Sequence, residues 1–147
     1  MANAKRQTYA AQGDDATVTP LLPGSRQFDY QQGGLCYRDI YFGGAYFVGR
    51  ETVYGGLTPI WAMGYAGGVI PSSGALCEMG RVYEFLRAAL RRVTAERPYR
   101  GPSQWREGAY IYTNEGQGEL ECFWGVENIT YEGQLVYQLR YGGGLLR

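Results

Sequence analysis

Residues 47–70 and 123–146 say nearly the same thing in the same register, which limits the fold more than any other feature of the chain. FVGRETVYGGLTPIWAMGYAGGVI, from Phe47 to Ile70, aligns without a gap on FWGVENITYEGQLVYQLRYGGGLL, from Phe123 to Leu146, at an offset of 76 (123 minus 47). Phe47 meets Phe123, Gly49 meets Gly125, Glu51 meets Glu127, Tyr65 meets Tyr141, and Gly67-Gly68 meets Gly143-Gly144. Val53 with Ile129, Trp61 with Tyr137, Met63 with Leu139, Val69 with Leu145 and Ile70 with Leu146 are conservative pairs. An internal duplication is the expectation, with coincidence as the alternative in a chain of 23 Gly and 14 Tyr.

The glutamates fall at informative places. Alternate residues of a strand share a face, so Phe47, Gly49, Glu51 and Val53 form one row and Phe123, Gly125, Glu127 and Ile129 form its echo. Each row is apolar but for one carboxylate, and burying an unanswered charge costs several kcal/mol, roughly. Each glutamate therefore needs a partner. That partner is a ligand, or a Tyr hydroxyl or arginine of the chain itself, with Arg38, Arg50 and Arg140 as candidates.

A chain of 147 residues is expected to form one domain with a sizeable core. No apolar run is long enough for a membrane span and no secretory leader is legible, so a cytoplasmic location is expected. The 14 basic and 14 acidic residues balance, which argues against binding duplex nucleic acid. Lys5 is the one lysine, leaving 13 arginines beside 14 Tyr and 3 Trp. Guanidinium forks with aromatic faces suit flat or phosphorylated ligands, although a Tyr-rich sheet with solvated arginines is the plainer reading. The chain has no His, and Cys36, Cys77 and Cys122 form no CxxC, so zinc sites and His-based catalysis are not expected. The thiols read as small core residues.

Along the chain, residues 1–24 read as a flexible tail and 25–147 as a single α+β ligand-binding domain, with repeat halves at 35–70 and 111–146. LCYRDIYF, AYFVGRETVY and IWAMGYAG predict three strands joined at Gly43-Gly44 and Gly55-Gly56. Pro71-Ser72-Ser73 predicts a helix start. In GALCEMGRVYEFLRAALRRVTAE, Leu76, Met79, Tyr83, Leu86, Leu90 and Val93 make an apolar stripe, Arg81, Glu84, Arg87 and Arg91 a solvated side, and Pro98 a stop. A Pro- and Gly-stiffened loop carries Tyr99, Arg100 and Trp105, and reads as a ligand lip or a packed connector. AYIYTN, ELECFWGVENITY and LVYQLRYGG then predict a second meander, with turns at GQG and Glu132-Gly133. The expected fold is α+β: two repeat-related three-stranded antiparallel meanders, as a curved sheet or half-barrel, with one long helix between them.

Three motifs carry a family resemblance: Phe47-x-Gly49-x-Glu51, Trp61-x-Met63-x-Tyr65 and Tyr99-Arg100-Gly101-Pro102. With them, residues 35–146 resemble an uncharacterised bacterial domain family found alone or behind a Cro-like helix-turn-helix in transcriptional regulators. The resemblance implies a domain that senses a small molecule in its fused relatives, and it brings no established activity. The 34 residues before Leu35 do not pattern as a helix-turn-helix.

The leading functional expectation is non-catalytic binding of a nucleotide-like small molecule, without a cofactor. Trp61, Tyr65, Tyr137 and Tyr141 would stack a flat ring beside Glu51 and Glu127, Tyr99 and Arg100 would close over it, and Tyr110 would complete the lining. A free-standing binder of this kind would suit a phage-type sponge that sequesters an immune nucleotide signal. A second expectation is a carboxylate-pair hydrolase using Glu51 and Glu127. A third is an interaction or effector-sensing module with a Tyr-rich surface, and a homodimer is expected in any case.

Overall fold

The computed structural model describes Thr8 and residues 18–95 and 99–147. Among these, eight strands form one antiparallel sheet: β1 (Arg26–Gln32), β2 (Leu35–Gly43), β3 (Tyr46–Gly55), β4 (Thr58–Val69), β5 (Gln104–Glu107), β6 (Tyr110–Glu119), β7 (Cys122–Tyr131) and β8 (Gln134–Leu145). Their spatial order is β1-β2-β3-β4-β8-β7-β6-β5. Helix α1 (Met79–Leu90) links the two four-stranded halves and packs on one face of the sheet.

This overturns the α+β expectation of two three-stranded meanders around a long helix. Each half gains an edge strand. In β1, Phe28 and Tyr30 alternate with Asp29 and Gln31 to give a strand period, and Phe28 packs into the core. β5 is four residues long, too short for periodicity to reveal inside a Pro- and Gly-rich segment. The helix is shorter because residues 71–78 wind as two 3-10 turns, Pro71–Ser73 and Ala75–Glu78, separated by Gly74 at a left-handed φ of 73°. Helix α1 itself is 12 residues long. The side chains of Leu76 and Cys77 and the stop at Pro98 lie outside the described residues.

The helix buries Val82, Phe85, Leu86, Ala89 and Leu90, while Met79 and Tyr83 sit at the margin. The turn expected at GQG is also displaced, because β6 runs through it and reverses at Leu120-Glu121. Cys36 is half-buried and Cys122 exposed, so neither is the core residue expected.

The two halves share their registers. β4 pairs with β8 so that Tyr65 faces Tyr141, Met63 faces Gly143 and Gly67 faces Leu139. Adding 76 to the first member of each pair gives 141, 139 and 143, so the pairs exchange among themselves about the Tyr65–Tyr141 centre. Asp39 faces Glu51 as Asn114 faces Glu127, and register shifts follow both Val53 and Ile129.

At this centre a glycine is required. A Cβ on Gly143 would lie 2.1 Å from the Ala62 carbonyl oxygen and 2.7 Å from the Met63 Cα, both backbone atoms of the neighbouring strand. Gly143→Ala must push β4 and β8 apart and is expected to cost about 1–3 kcal/mol. The urea midpoint reads this directly, and an unchanged midpoint would show that the strands part freely.

Candidate functional site

Glu127 sits on β7 with no solvent exposure, and every partner it has reaches it along the inner face. Arg100 donates from Nε to Oε2 at 3.1 Å and from Nη2 to Oε1 at 2.5 Å. The hydroxyls of Tyr112 and Tyr137 donate to Oε2 at 2.6 Å and Oε1 at 2.8 Å. The same cluster grips the chain beside Arg100, since the Gly101 N–H donates to the Tyr112 hydroxyl at 3.0 Å and Asn114 Nδ2 donates to the Gly101 carbonyl at 3.0 Å. Asn114 in turn accepts from the Tyr141 hydroxyl at 2.8 Å. Burial works against the charge on Arg100, but the Glu127 carboxylate outweighs it and holds the guanidinium well above its ordinary pKa. Burial first, and the Glu127 charge second, push the Tyr112 phenol well above the ordinary value.

The first half repeats the acidic row with other partners. Glu51 is buried on β3 beside Tyr37, whose phenol is raised by burial and then by the Glu51 and Asp39 charges. The Tyr65 hydroxyl donates to Asp39 Oδ1 at 2.6 Å, as Tyr141 does to Asn114. Burial and the Asp39 charge hold the Tyr65 proton tightly.

Beside this row opens a cleft of about 220 Å³ between α1 and the first half of the sheet. Tyr41, Phe47, Tyr65 and Tyr83 supply aromatic surface, and Phe47 meets Tyr41, Tyr65 and Tyr83 at 6.2, 5.9 and 6.0 Å between ring centroids. Tyr83 is fixed by donating to the carbonyls of Gly44 and Ala45, which ties the helix to the β2–β3 turn. Arg26, Arg87 and Arg100 line the cleft with Asp39. Arg26 is exposed at the mouth, Arg87 is half-buried, and Arg100 and Asp39 are buried at 7% and 8% exposure. Arg100 also stands 5.6 Å from the Tyr65 ring, so one guanidinium joins the Glu127 cluster to the cleft.

Of the nine residues expected to bind ligand, Tyr65 and Arg100 line this cleft. Glu127, Tyr137 and Tyr141 lie in the buried network of the second half. Trp61 is core, stacked at 5.6 Å on Phe123, which Tyr99 covers on a 4.0 Å stack. Tyr110 stacks on Phe85 at 5.0 Å and borders a separate depression with Tyr131 and Glu132. Glu51 is buried and does not line the cleft. Glu127 is answered by Tyr hydroxyls and Arg100, none of the three arginines proposed from sequence, and Arg38 instead pairs with Asp29 at 2.6 Å. That pair holds the Asp29 carboxyl below its ordinary value, chiefly through the Arg38 hydrogen bond.

Sequence reasoning missed Arg26, Asp39, Tyr41, Tyr83 and Arg87 as cleft residues. Asp39 carries the same signal as the glutamates, an acid in the inward row of Tyr37 and Tyr41. Its equivalent Asn114 is offset by 75, because the β6–β7 turn is one residue longer than the β2–β3 turn: Gly118 faces Phe123 where Gly43 faces Phe47. The offset of 76 therefore hides it. Among the described residues, no three Cys, Asp or Glu side chains converge to hold a metal, and no helix is long and apolar enough to cross a membrane.

Among the described residues, an antiparallel sheet with a short helix on one face and a basic aromatic cleft at their junction defines the class. The chain belongs to the family described as a domain of unknown function, DUF5680, which matches residues 39–146. No curated protein and no solved structure matches it.

Proposed function

We propose that this domain is a non-catalytic binding protein for a compact, ring-bearing anion of nucleotide-like chemistry. The observation that carries this reading is the convergence of Arg26, Arg87 and Arg100 on an aromatic-walled cleft of about 220 Å³. Guanidinium forks match phosphate oxygens, and the aromatic wall of the cleft gives a ring apolar surface to lie against. Sequestration of a nucleotide signal by a free-standing domain, and effector sensing where such a domain follows a helix-turn-helix, both begin with this binding step. The carboxylate-pair hydrolase is disfavoured because Glu127 spends both oxygens on four hydrogen bonds, leaving no position for a reacting proton.

Thermal shift against mononucleotides, cyclic dinucleotides, ADP-ribose derivatives, sugar phosphates and neutral sugars tests the proposal, since a ligand of the native state stabilises it by RT ln(1 + [L]/Kd). A shift is expected with a phosphorylated ring compound and not with neutral sugars. Arg87→Ala is expected to weaken that ligand at least tenfold, about 1.4 kcal/mol. A flat response across the panel, or one indifferent to Arg87→Ala, would sink the reading.

A homodimer is the second reading, and exposed aromatics on the outer face of the sheet favour it. Tyr46 and Trp124 are 62% and 56% exposed opposite the helix, with Val48 and Phe42 beside Tyr46. Light scattering is expected to give twice the chain mass, and Trp124→Lys to return it to one. A monomer at all concentrations would reject this reading.

A further inference from the structure

We infer that a second copy of this chain docks on the outer face of the sheet with the two halves crossed, so that Arg50 of each copy lies on Trp124 of the partner subunit. This rests on the homodimer reading above and adds the contact that orients it. On β3 and β7 the inward positions repeat, Phe47, Gly49 and Glu51 returning as Phe123, Gly125 and Glu127. The outward positions between them differ, with Val48 and Arg50 where the second half has Trp124 and Val126. A shared core demands the same inward row in both halves and makes no such demand on the outward one.

The registers set these outward residues at two levels across the four central strands. Arg50, Gly64, Gly142 and Trp124 form one level, and Val48, Ala66, Arg140 and Val126 form the next. Gly64 and Gly142 are a low floor between two large side chains. A Cβ on Gly64 would meet nothing within 4 Å, and the side chain that a Cβ on Gly142 would meet is that of Trp124, at 3.4 Å. Arg50, Gly64 and Arg140 are exposed, as are Val48 and Trp124 at 50% and 56%.

Stacked sheets keep their strands aligned to within about 30°, and a closed pair of copies is two-fold. The axis therefore runs in the interface, across the strands or along them. Across them, β3 lies on β3 and β7 on β7, so each Arg50 faces the strand that carries the other. Along them, between β4 and β8, every level is kept and the halves exchange. Arg50 then meets the partner's Trp124, Val48 meets the partner's Val126, and Arg140 meets the small side chain of the partner's Ala66. Each contact occurs twice. Charge favours this second axis, because a guanidinium over an indole face is attractive and two facing guanidinium groups are not.

Sedimentation of the whole chain and three exposed-face variants tests the pairing, with circular dichroism confirming that each is folded. Wild type is expected to be a dimer. Trp124→Lys sets a cation against Arg50 and is expected to be monomeric, whereas Trp124→Glu is expected to stay dimeric because its carboxylate pairs with the same guanidinium. Arg50→Glu is expected to weaken the dimer about tenfold or more. Mixing Arg50→Glu with Trp124→Lys is expected to recover a dimer with one chain of each, since the introduced carboxylate meets the introduced ammonium and the other contact is native. Trp124→Glu as monomeric as Trp124→Lys, or no recovery in the mixture, overturns the crossed pairing while a dimer through this face stands. A monomeric wild type, or a dimer that survives Trp124→Lys, overturns both.

Discussion

Glu127→Ala is expected to destabilise the fold by about 3–5 kcal/mol, because it leaves the Arg100 cation buried without a counter-charge. The Glu127 carboxylate has no solvent exposure, and Arg100 keeps 7%. Water therefore cannot take over the hydrogen bonds that the two phenols and the guanidinium lose. A loss of that size is a large fraction of the roughly 5–15 kcal/mol that holds an ordinary domain together. Arg100→Met is expected to cost a comparable amount by stranding the carboxylate, and Tyr112→Phe about 2–3 kcal/mol, since the hydroxyl's bond to Glu127 and the one it accepts from the Gly101 N–H are both lost. The double variant Arg100→Met/Glu127→Ala completes the cycle. With both charges gone, it is expected to be more stable than either single charge-removing variant. Denaturant midpoints measure all four, and a double variant that simply adds the two single losses would show that the residues are not coupled.

Alkaline pH is expected to unfold the protein steeply. Tyr37, Tyr65 and Tyr112 hold their protons well above the ordinary value of 10.0, each chiefly through burial and then through a neighbouring carboxylate. In the unfolded chain these phenols ionise near that ordinary value, whereas in the native protein they stay neutral. Above pH 10.0 the unfolded state therefore binds fewer protons, and the stability these groups contribute is full below that pH and falls as pH rises. Each contributes about 1.4 kcal/mol per pH unit, so three together contribute about 4 kcal/mol per unit. Tyrosinate absorbance should lag for this group and then rise with the loss of circular dichroism in one transition. Removal of one phenol by Tyr112→Phe should make the slope shallower by about a third. Ionisation of all the tyrosines near the ordinary value with the fold retained would contradict the burial of these hydroxyls.

Much of the central sheet was legible in the sequence because two periods are strong there. Alternation through LCYRDIYF, and through AYFVGRETVY as far as Glu51, marks strands with one buried face, and the offset of 76 ties β3 and β4 to β7 and β8. Both glutamates stood out for a sound reason, as acids in apolar rows, and both are buried. The edges were not legible. A four-residue β5 has too few residues to show a period, and β1 is recognisable chiefly through its pairing with β2. The helix was overextended because periodicity does not distinguish an α-helix from the 3-10 turns before Met79, and the left-handed Gly74 decides that boundary.

The cleft shares residue types with the expected ligand site and lies in a different place. Arginine and aromatic residues do converge, yet Trp61, Tyr137 and Tyr141 spend their faces and hydroxyls on the core, while the cleft draws on Arg26 and Arg87 from elements whose meeting no local pattern reveals. Arg87 followed the rule for a solvated helix face until Tyr83 anchored that helix over the β2–β3 turn. The second half carries the same inner row but fills it with Arg100 and Gly101 of its own chain. That asymmetry leaves the cleft beside the first half.

The most direct measurement of the central claim is a calorimetric titration of wild type and Arg87→Ala with CMP and with cytidine, which lacks the phosphate. The account predicts binding of the nucleotide to wild type, affinity at least about tenfold lower for the nucleoside, and a similar loss for the nucleotide in Arg87→Ala. Equal affinity for nucleotide and nucleoside, or nucleotide binding untouched by Arg87→Ala, would contradict an anion site built from these arginines.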